Sequence, residues 1–175
     1  MKAKFELLCV GVLLCGVAEA VPVLFDRAGV APAPIVVPKE ATPSQRYAAS
    51  EYAFYLREMT GEDVSVIEGD APKRCVRIVT AQEREGLGED GFTLRVRGET
   101  LEVRGSGVRG CLYGVYELLE RFGGCRWYAS WHTVVPELRR FTVPDGLDVT
   151  EKPDFAMRSD WWYDVNSHHD FAARL

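Results

Sequence analysis

The sequence predicts an α+β fold, a mostly antiparallel sheet with two helices packed on it. Three observations carry that reading. A capped helical stripe begins at Thr42, an alternating hairpin runs through "FTLRVRGETLEVRG", and a second helical stripe follows directly after a glycine-rich turn.

The elements follow in order. Pro22 to Pro38 is rich in Val, Ala and Pro, with Ile35-Val36-Val37 as its strand. Thr42-Pro-Ser-Gln45 is a capping box: the Thr42 hydroxyl accepts from the Gln45 amide, Gln45 reaches back, and Pro43 sits where no N–H is needed. The helix runs to about Thr60 and stops at Gly61, with Ala48, Tyr52, Tyr55, Leu56 and Met59 on its buried stripe. Strands are expected at Val64 to Ile67 and Cys75 to Thr80, separated by Gly69-Asp-Ala-Pro72, and Gln82 to Asp90 reads as a polar loop.

In the next stretch Phe92, Leu94 and Val96 alternate with polar residues, as do Leu101 and Val103. The two-residue Gly98-Glu99 connection suits a type II′ turn, so these strands pair antiparallel with one buried face. Val108, Leu112, Val115, Leu119 and Phe122 then form one helical face, with Ser106 placed to cap it and Gly123-Gly124 to end it. Cys125 to Tyr128, Thr133 to Val135 and Arg140 to Val143 read as closing strands, and "DVTEKP" as a linker.

Gly105-Ser-Gly107-Val-Arg-Gly110 is a literal G-x-G-x-x-G, the spacing of a dinucleotide-binding turn. That chemistry needs a first strand in a parallel sheet and an acidic residue about 20 positions on to hold the ribose. Here the strand is half of a hairpin, and "GGCRWYASWHTVV" contains no Asp or Glu. Dinucleotide binding is the least favoured function, and the glycines are expected to serve a tight turn and close helix–sheet packing.

Both ends of the sequence carry further signals. Lys2 and Lys4 precede an apolar run from Leu7 to Val17, and Ala18-Glu19-Ala20 has the small-x-small pattern of a signal-peptidase site. Residues 1–20 read as a leader, giving an exported protein, periplasmic or extracellular. The run is shorter than the roughly 18 residues of a membrane span, and Cys9 and Cys15 follow Leu where a lipobox has a small residue. A net charge of -5 gives no footprint for nucleic acid. Past the leader only Cys75, Cys111 and Cys125 remain. Cys75 and Cys125 can meet only if their strands are neighbours. Cys111 and Cys125 sit about 20 Å apart along a helix, so buried free thiols are the favoured reading.

The combination "AASEYAFYLREMTG", "RGCLYGVYELLE", "GCRWY", "VVP" and "KPDFAMR" resembles the N-terminal domain of exported bacterial glycoside-hydrolase-type proteins, the alpha-glucuronidases and the family 20 beta-N-acetylhexosaminidases. In those a small α+β domain precedes a (β/α)8 barrel that holds the catalytic carboxylates. Past the leader at 1–20, the resemblance implies an accessory domain at 21–150 and, at 151–175, the first strand of a truncated barrel. It implies no catalytic residue, cofactor or metal in this chain, and a polysaccharide or oligosaccharide partner bound through the barrel. Phe155 to Arg158 would be the first barrel strand, with Arg158, Trp161 and Trp162 as sugar-binding candidates.

Arg109, Arg126, Trp127, Tyr128 and Trp131 are candidates for the contact with the barrel, with His132 beside them. Charge pairing at the sheet edge is the alternative role of the two arginines. A stand-alone carbohydrate-binding module using Trp127, Trp131, Trp161 and Trp162 is the alternative function. Asp160 and Asp164 lie on one short segment, unlike a glycosidase pair drawn from several strands, and His168-His169 with Asp164 and Asp170 match no recognised metal spacing.

Overall fold

The structure is a computed structural model and describes residues 22–82 and 85–155. Its centre is a six-stranded sheet in the order β10-β5-β6-β4-β2-β3. The strands are β2 (Ile35–Val37), β3 (Val66–Glu68), β4 (Cys75–Thr80), β5 (Phe92–Arg97), β6 (Thr100–Gly105) and β10 (Asp148–Glu151). Helices α1 (Pro43–Thr60) and α2 (Gly110–Arg121) pack against each other on one face of it. Two antiparallel pairs complete the fold, β1 (Val23–Asp26) with β9 (Arg140–Thr142), and β7 (Arg126–Ala129) with β8 (His132–Val134).

Pairings β10–β5 and β5–β6 are antiparallel, while β6–β4, β4–β2 and β2–β3 are parallel. With the two outlying pairs, the sheets are mostly antiparallel, as the sequence predicts. Strands β2 and β3 run parallel because α1 carries the chain back across the sheet between them.

Helix α1 begins as predicted. Thr42 accepts from the Gln45 amide at 3.2 Å, the Gln45 side chain accepts from the Thr42 N–H at 2.8 Å, and Gly61 ends the helix in the left-handed region. Its stripe of Ala48, Tyr52, Tyr55, Leu56 and Met59 is fully buried. The hairpin also forms in the expected register, with Arg97 opposite Thr100 and Gly98 at φ 60°, the first position of a type II′ turn. Leu94, Val96, Leu101 and Val103 from the hairpin join Val76 and Ile78 of β4 beneath the helices.

Four details depart from the sequence reading. Val108 lies in the turn before α2 and is 77% exposed, so the buried helix face begins without it and includes Cys111, Tyr116 and Leu118 beside Leu112. Ser106 does not cap α2: its hydroxyl donates to the carbonyls of Gly88 and Gly91. Asp148–Glu151, read as part of a linker, is edge strand β10, and β1, in a stretch where the sequence predicts no strand, pairs with the expected strand β9. The leader lies outside the described residues, within which no helix is long and apolar enough to cross a membrane.

Cys75, Cys111 and Cys125 are all buried and free. The Cys111 thiol donates to the Val79 carbonyl at 3.3 Å, and Cys125 lies 3.7 Å from the Met59 sulfur. Burial pushes the Cys111 and Cys125 thiols up to about 11 from the usual 9.0.

Two outcomes are expected. A Cβ on Gly110 would stand 2.4 Å from the Gly91 carbonyl oxygen, a backbone atom that cannot swing away, whereas one on Gly61 meets nothing within 4 Å. Gly110→Ala should lower the urea-unfolding free energy by at least about 2 kcal/mol, and Gly61→Ala by only about 1 kcal/mol, the cost of a left-handed Cβ. In the thiol case, unfolded cysteines lose protons near pH 9 while the folded ones keep them to about 11. Stability is therefore full below pH 9 and declines as pH rises toward 11. Urea midpoints measured across that window should fall, and the Cys111→Ala/Cys125→Ala double variant should flatten the fall.

Candidate functional site

Three regions hold the side chains that chemistry or binding would use: the glycine turn before α2, the β7–β8 hairpin, and the open face of the sheet.

At the turn, a Cβ on Gly105 would lie 1.9 Å from the Cys111 nitrogen, and one on Gly110 would lie 3.0 Å from the Gly105 Cα. The strand end and the helix start thus touch backbone to backbone. One turn later, a Cβ on Gly114 would meet Val103 Cγ1 at 2.7 Å, so the helix seats directly on β6. The space a phosphate would need is filled by the preceding loop. The Ser106 N–H donates to the Gly91 carbonyl at 2.8 Å, and Gly107, at φ 58°, faces the Asp90 backbone.

Asp90 itself takes φ 66° and is buried, its carboxylate gripped by Arg109 through Nε at 3.3 Å and Nη2 at 2.6 Å. That hydrogen bond leads the influences that hold the Arg109 guanidinium above its usual range. The turn is a packing joint sealed by the protein's own carboxylate, which answers the resemblance to a dinucleotide motif.

Arg126, at the other end of α2, donates to the carbonyls of Glu120 at 2.7 Å and Cys125 at 2.6 Å, and its Nε lies 3.7 Å from the Glu120 carboxylate. A cation there neutralises unpaired carbonyls at a helix C-terminus. Both arginines are therefore engaged within the domain.

The hairpin separates its aromatics. Trp127 turns inward, its indole N–H donating to the Tyr55 hydroxyl at 2.8 Å and its ring meeting Tyr55 and Tyr116 edge-on at 5.3 and 5.2 Å. Tyr116 in turn donates to the buried Glu51 carboxylate at 2.8 Å, tying α2 to α1. Tyr128 and Trp131 turn outward, 59% and 79% exposed, with His132 stacked on Tyr128 at 5.4 Å. Trp127 thus serves the domain's own core, while Tyr128, Trp131 and His132 present an aromatic edge to solvent.

The open face of the sheet, opposite the helices, is charged. Asp148, Arg95, Glu102 and Arg77 stand side by side in register across β10, β5, β6 and β4. Arg95, Glu102 and Arg77 line, with Arg97, Thr100, Arg104 and Glu85, a groove of about 460 Å³. Arg95 pairs with Asp148 at 2.7 Å, and Arg104 with Glu85 at 3.0 Å and Glu102 at 2.8 Å. Burial disfavours the Arg104 charge, but the hydrogen bond and charge of Glu102, then those of Glu85, outweigh it and hold Arg104 above its usual range. Glu85 is held low, first by the Gln82 N–H and then, against partial burial, by the arginines. The alternation of the hairpin marks Arg95, Arg97, Glu102 and Arg104 as one polar face. That β4 lies beside β6 and adds Arg77 is not readable from local pattern.

Arg158, Trp161, Trp162, Asp160, Asp164, His168, His169 and Asp170 lie outside the described residues. Among the described residues no group of three or more His, Cys, Asp or Glu is arranged to hold a metal ion.

No family model matches the chain, and a search of curated proteins gave no match. Among solved structures, it is similar to a GH20 beta-N-acetylhexosaminidase from Streptomyces coelicolor A3(2), with TM-score 0.54 and 18% identity over 75% of this chain and 24% of that one. An N-acetyl-beta-hexosaminidase from Streptomyces plicatus gives TM-score 0.50 and 16% identity over 73% and 24%. A family GH115 4-O-methyl-alpha-glucuronidase with specificity for decorated arabinogalactans gives 0.52 and 17% over 70% and 18%. At these identities the likeness is one of fold alone, and the chain spans about a quarter or less of these neighbours' length.

The filled turn carries an expected outcome. A ligand that binds the folded state raises the melting temperature by mass action, and NAD at about 100 times a typical Kd would add about 2.7 kcal/mol. Thermal unfolding with and without NAD should superimpose, and a rise in the midpoint would mean that the loop leaves the turn.

Proposed function

We propose that this chain is a non-catalytic accessory domain of an exported carbohydrate-active protein, which buttresses a larger catalytic domain and helps to complete its active site. The observation that carries the reading is the extent of the fold match: most of this chain aligns with only 18–24% of much longer glycoside hydrolases. The β7–β8 edge suits the contact. Tyr128, Trp131 and Val134 are exposed on a hairpin whose inner side is locked to both helices through Trp127. Large aromatics held on a rigid element form the kind of surface that a partner covers. Arg109 and Arg126 flank α2 and serve this contact by fixing the helix and the loop around it. Sugar contacts, including any by Arg158, Trp161 and Trp162, belong in this reading to the catalytic domain.

The exposed Trp131 also favours the second reading, a stand-alone carbohydrate-binding module. Antibody raised to this chain, applied to its source cells with intact-mass detection, separates the two. The accessory reading expects a product several times heavier than 19.6 kDa, and a product at or just below that mass overturns it. The isolated chain should turn over no aryl glycoside. Turnover that survives repurification would equally overturn the non-catalytic assignment.

A further inference from the structure

We propose that the open face of the six-stranded sheet binds an acidic oligosaccharide, with Arg77 and Arg97 holding a sugar carboxylate and Thr100 and Glu102 taking sugar hydroxyls. The inference rests on the carbohydrate reading above and extends it to a ligand and a site.

The partition of the arginines is the starting observation. Four guanidinium groups line the groove, and two of them, Arg95 and Arg104, are held by Asp148, Glu85 and Glu102. Arg77 and Arg97 are exposed and make no ion pair or hydrogen bond among the described residues. A chain with a net charge of -5 thus leaves two cations unpaired in one groove. They stand on β4 and β5, which flank β6, so their strands are about 9–10 Å apart, within reach of one bound molecule by two long flexible arms. A free guanidinium presents a planar fork that matches a carboxylate in two parallel hydrogen bonds.

The rest of the lining narrows the ligand. Glu85 and Glu102 put negative charge inside the groove and would repel the closely spaced phosphates of a nucleic acid. The same oxygens accept from sugar hydroxyls, and the Thr100 hydroxyl, whose proton is given to the Lys73 carbonyl at 2.7 Å, accepts as well. No aromatic ring is among the lining residues, so the groove lacks the stacking platform a neutral sugar would use. Hydroxyls with an occasional carboxylate describe an acidic glycan. The pairs Arg95–Asp148 and Arg104–Glu85 hold the groove's floor and its rim in place beneath it.

Titration calorimetry of the full chain with a galacturonate tetramer, its methyl ester and a neutral glucan tetramer tests the proposal. The acid form should bind at least tenfold more tightly than either neutral form, and weaken as salt rises. Arg77→Gln/Arg97→Gln, two exposed positions whose loss should leave the melting temperature unchanged, should reduce the affinity at least tenfold. Equal binding of the methyl ester, an unaffected double variant, or tighter binding of single-stranded DNA would each overturn the assignment. A short native product together with acid-selective binding keeps the groove and removes the accessory role. A long native product without such binding does the reverse.

Discussion

The contact on which the rest of this structure depends is the one between the end of β6 and the start of α2, where two stretches of backbone meet with no side chain between them. Gly105 and Gly110 approach so closely that a Cβ on either would overlap main-chain atoms. Only glycine allows this, and the gain is position: α2 leaves the sheet at once and lies along β6 and β5. Once α2 is so placed, Tyr116 reaches Glu51 on α1 and packs on Trp127, and Trp127 reaches Tyr55. One hydrogen-bonded aromatic cluster then joins both helices to the β7–β8 hairpin. The loop before β5 completes the joint, since Asp90 in its left-handed conformation and Ser106 seal what would otherwise be an open helix N-terminus. A left-handed Asp is tolerated there because Arg109 holds its carboxylate in place.

What could be read in the sequence follows from how local each determinant is. The start and end of α1 are written in Thr42, Pro43, Gln45 and Gly61, which act within one turn of themselves, and the structure matches them residue for residue. The β5–β6 hairpin is equally local, with its turn and its alternation inside fourteen residues. The strands that escaped notice pair over long distances instead: Phe25 of β1 lies opposite Phe141, and Val149 of β10 opposite Leu94. The segment "DVTE" carries one apolar residue and reads as a linker, yet the edge of an existing sheet needs only backbone groups to extend it. Spacing alone puts Val108 on the helix, but it lies in the glycine turn and the helix starts two residues later.

The same distinction governs the candidate surfaces. Trp127, Tyr128 and Trp131 are indistinguishable as aromatics in the sequence, and strand parity decides between them: Trp127 and Ala129 point into the domain while Tyr128 points out. The parity was readable, but its direction was not, because it is set by the helices rather than by the hairpin. The polar side of the central hairpin was likewise visible as alternating charges. Its character as a groove depends on β4 lying parallel to β6, a pairing of strands not consecutive in the chain that brings Arg77 opposite Glu102.

A sheet covered by helices on one face only must leave the other face polar, and the usual solution is a lattice of opposite charges that satisfy one another. Arg95 with Asp148 follows that pattern across β5 and β10, and Arg104 with Glu102 and Glu85 continues it toward the rim. Cross-strand pairs of this kind add a few tenths of a kcal/mol up to about 1 each, and they do so only when the charges match. Solubility alone would be served as well by lysine or threonine at positions 77 and 97, neither of which makes an ion pair or hydrogen bond among the described residues. Two unmatched guanidiniums beside a self-satisfied lattice add nothing to the sheet's own stability. Their charge is available to something outside the domain, on the side of the molecule away from the aromatic cluster that locks the helices and the hairpin together.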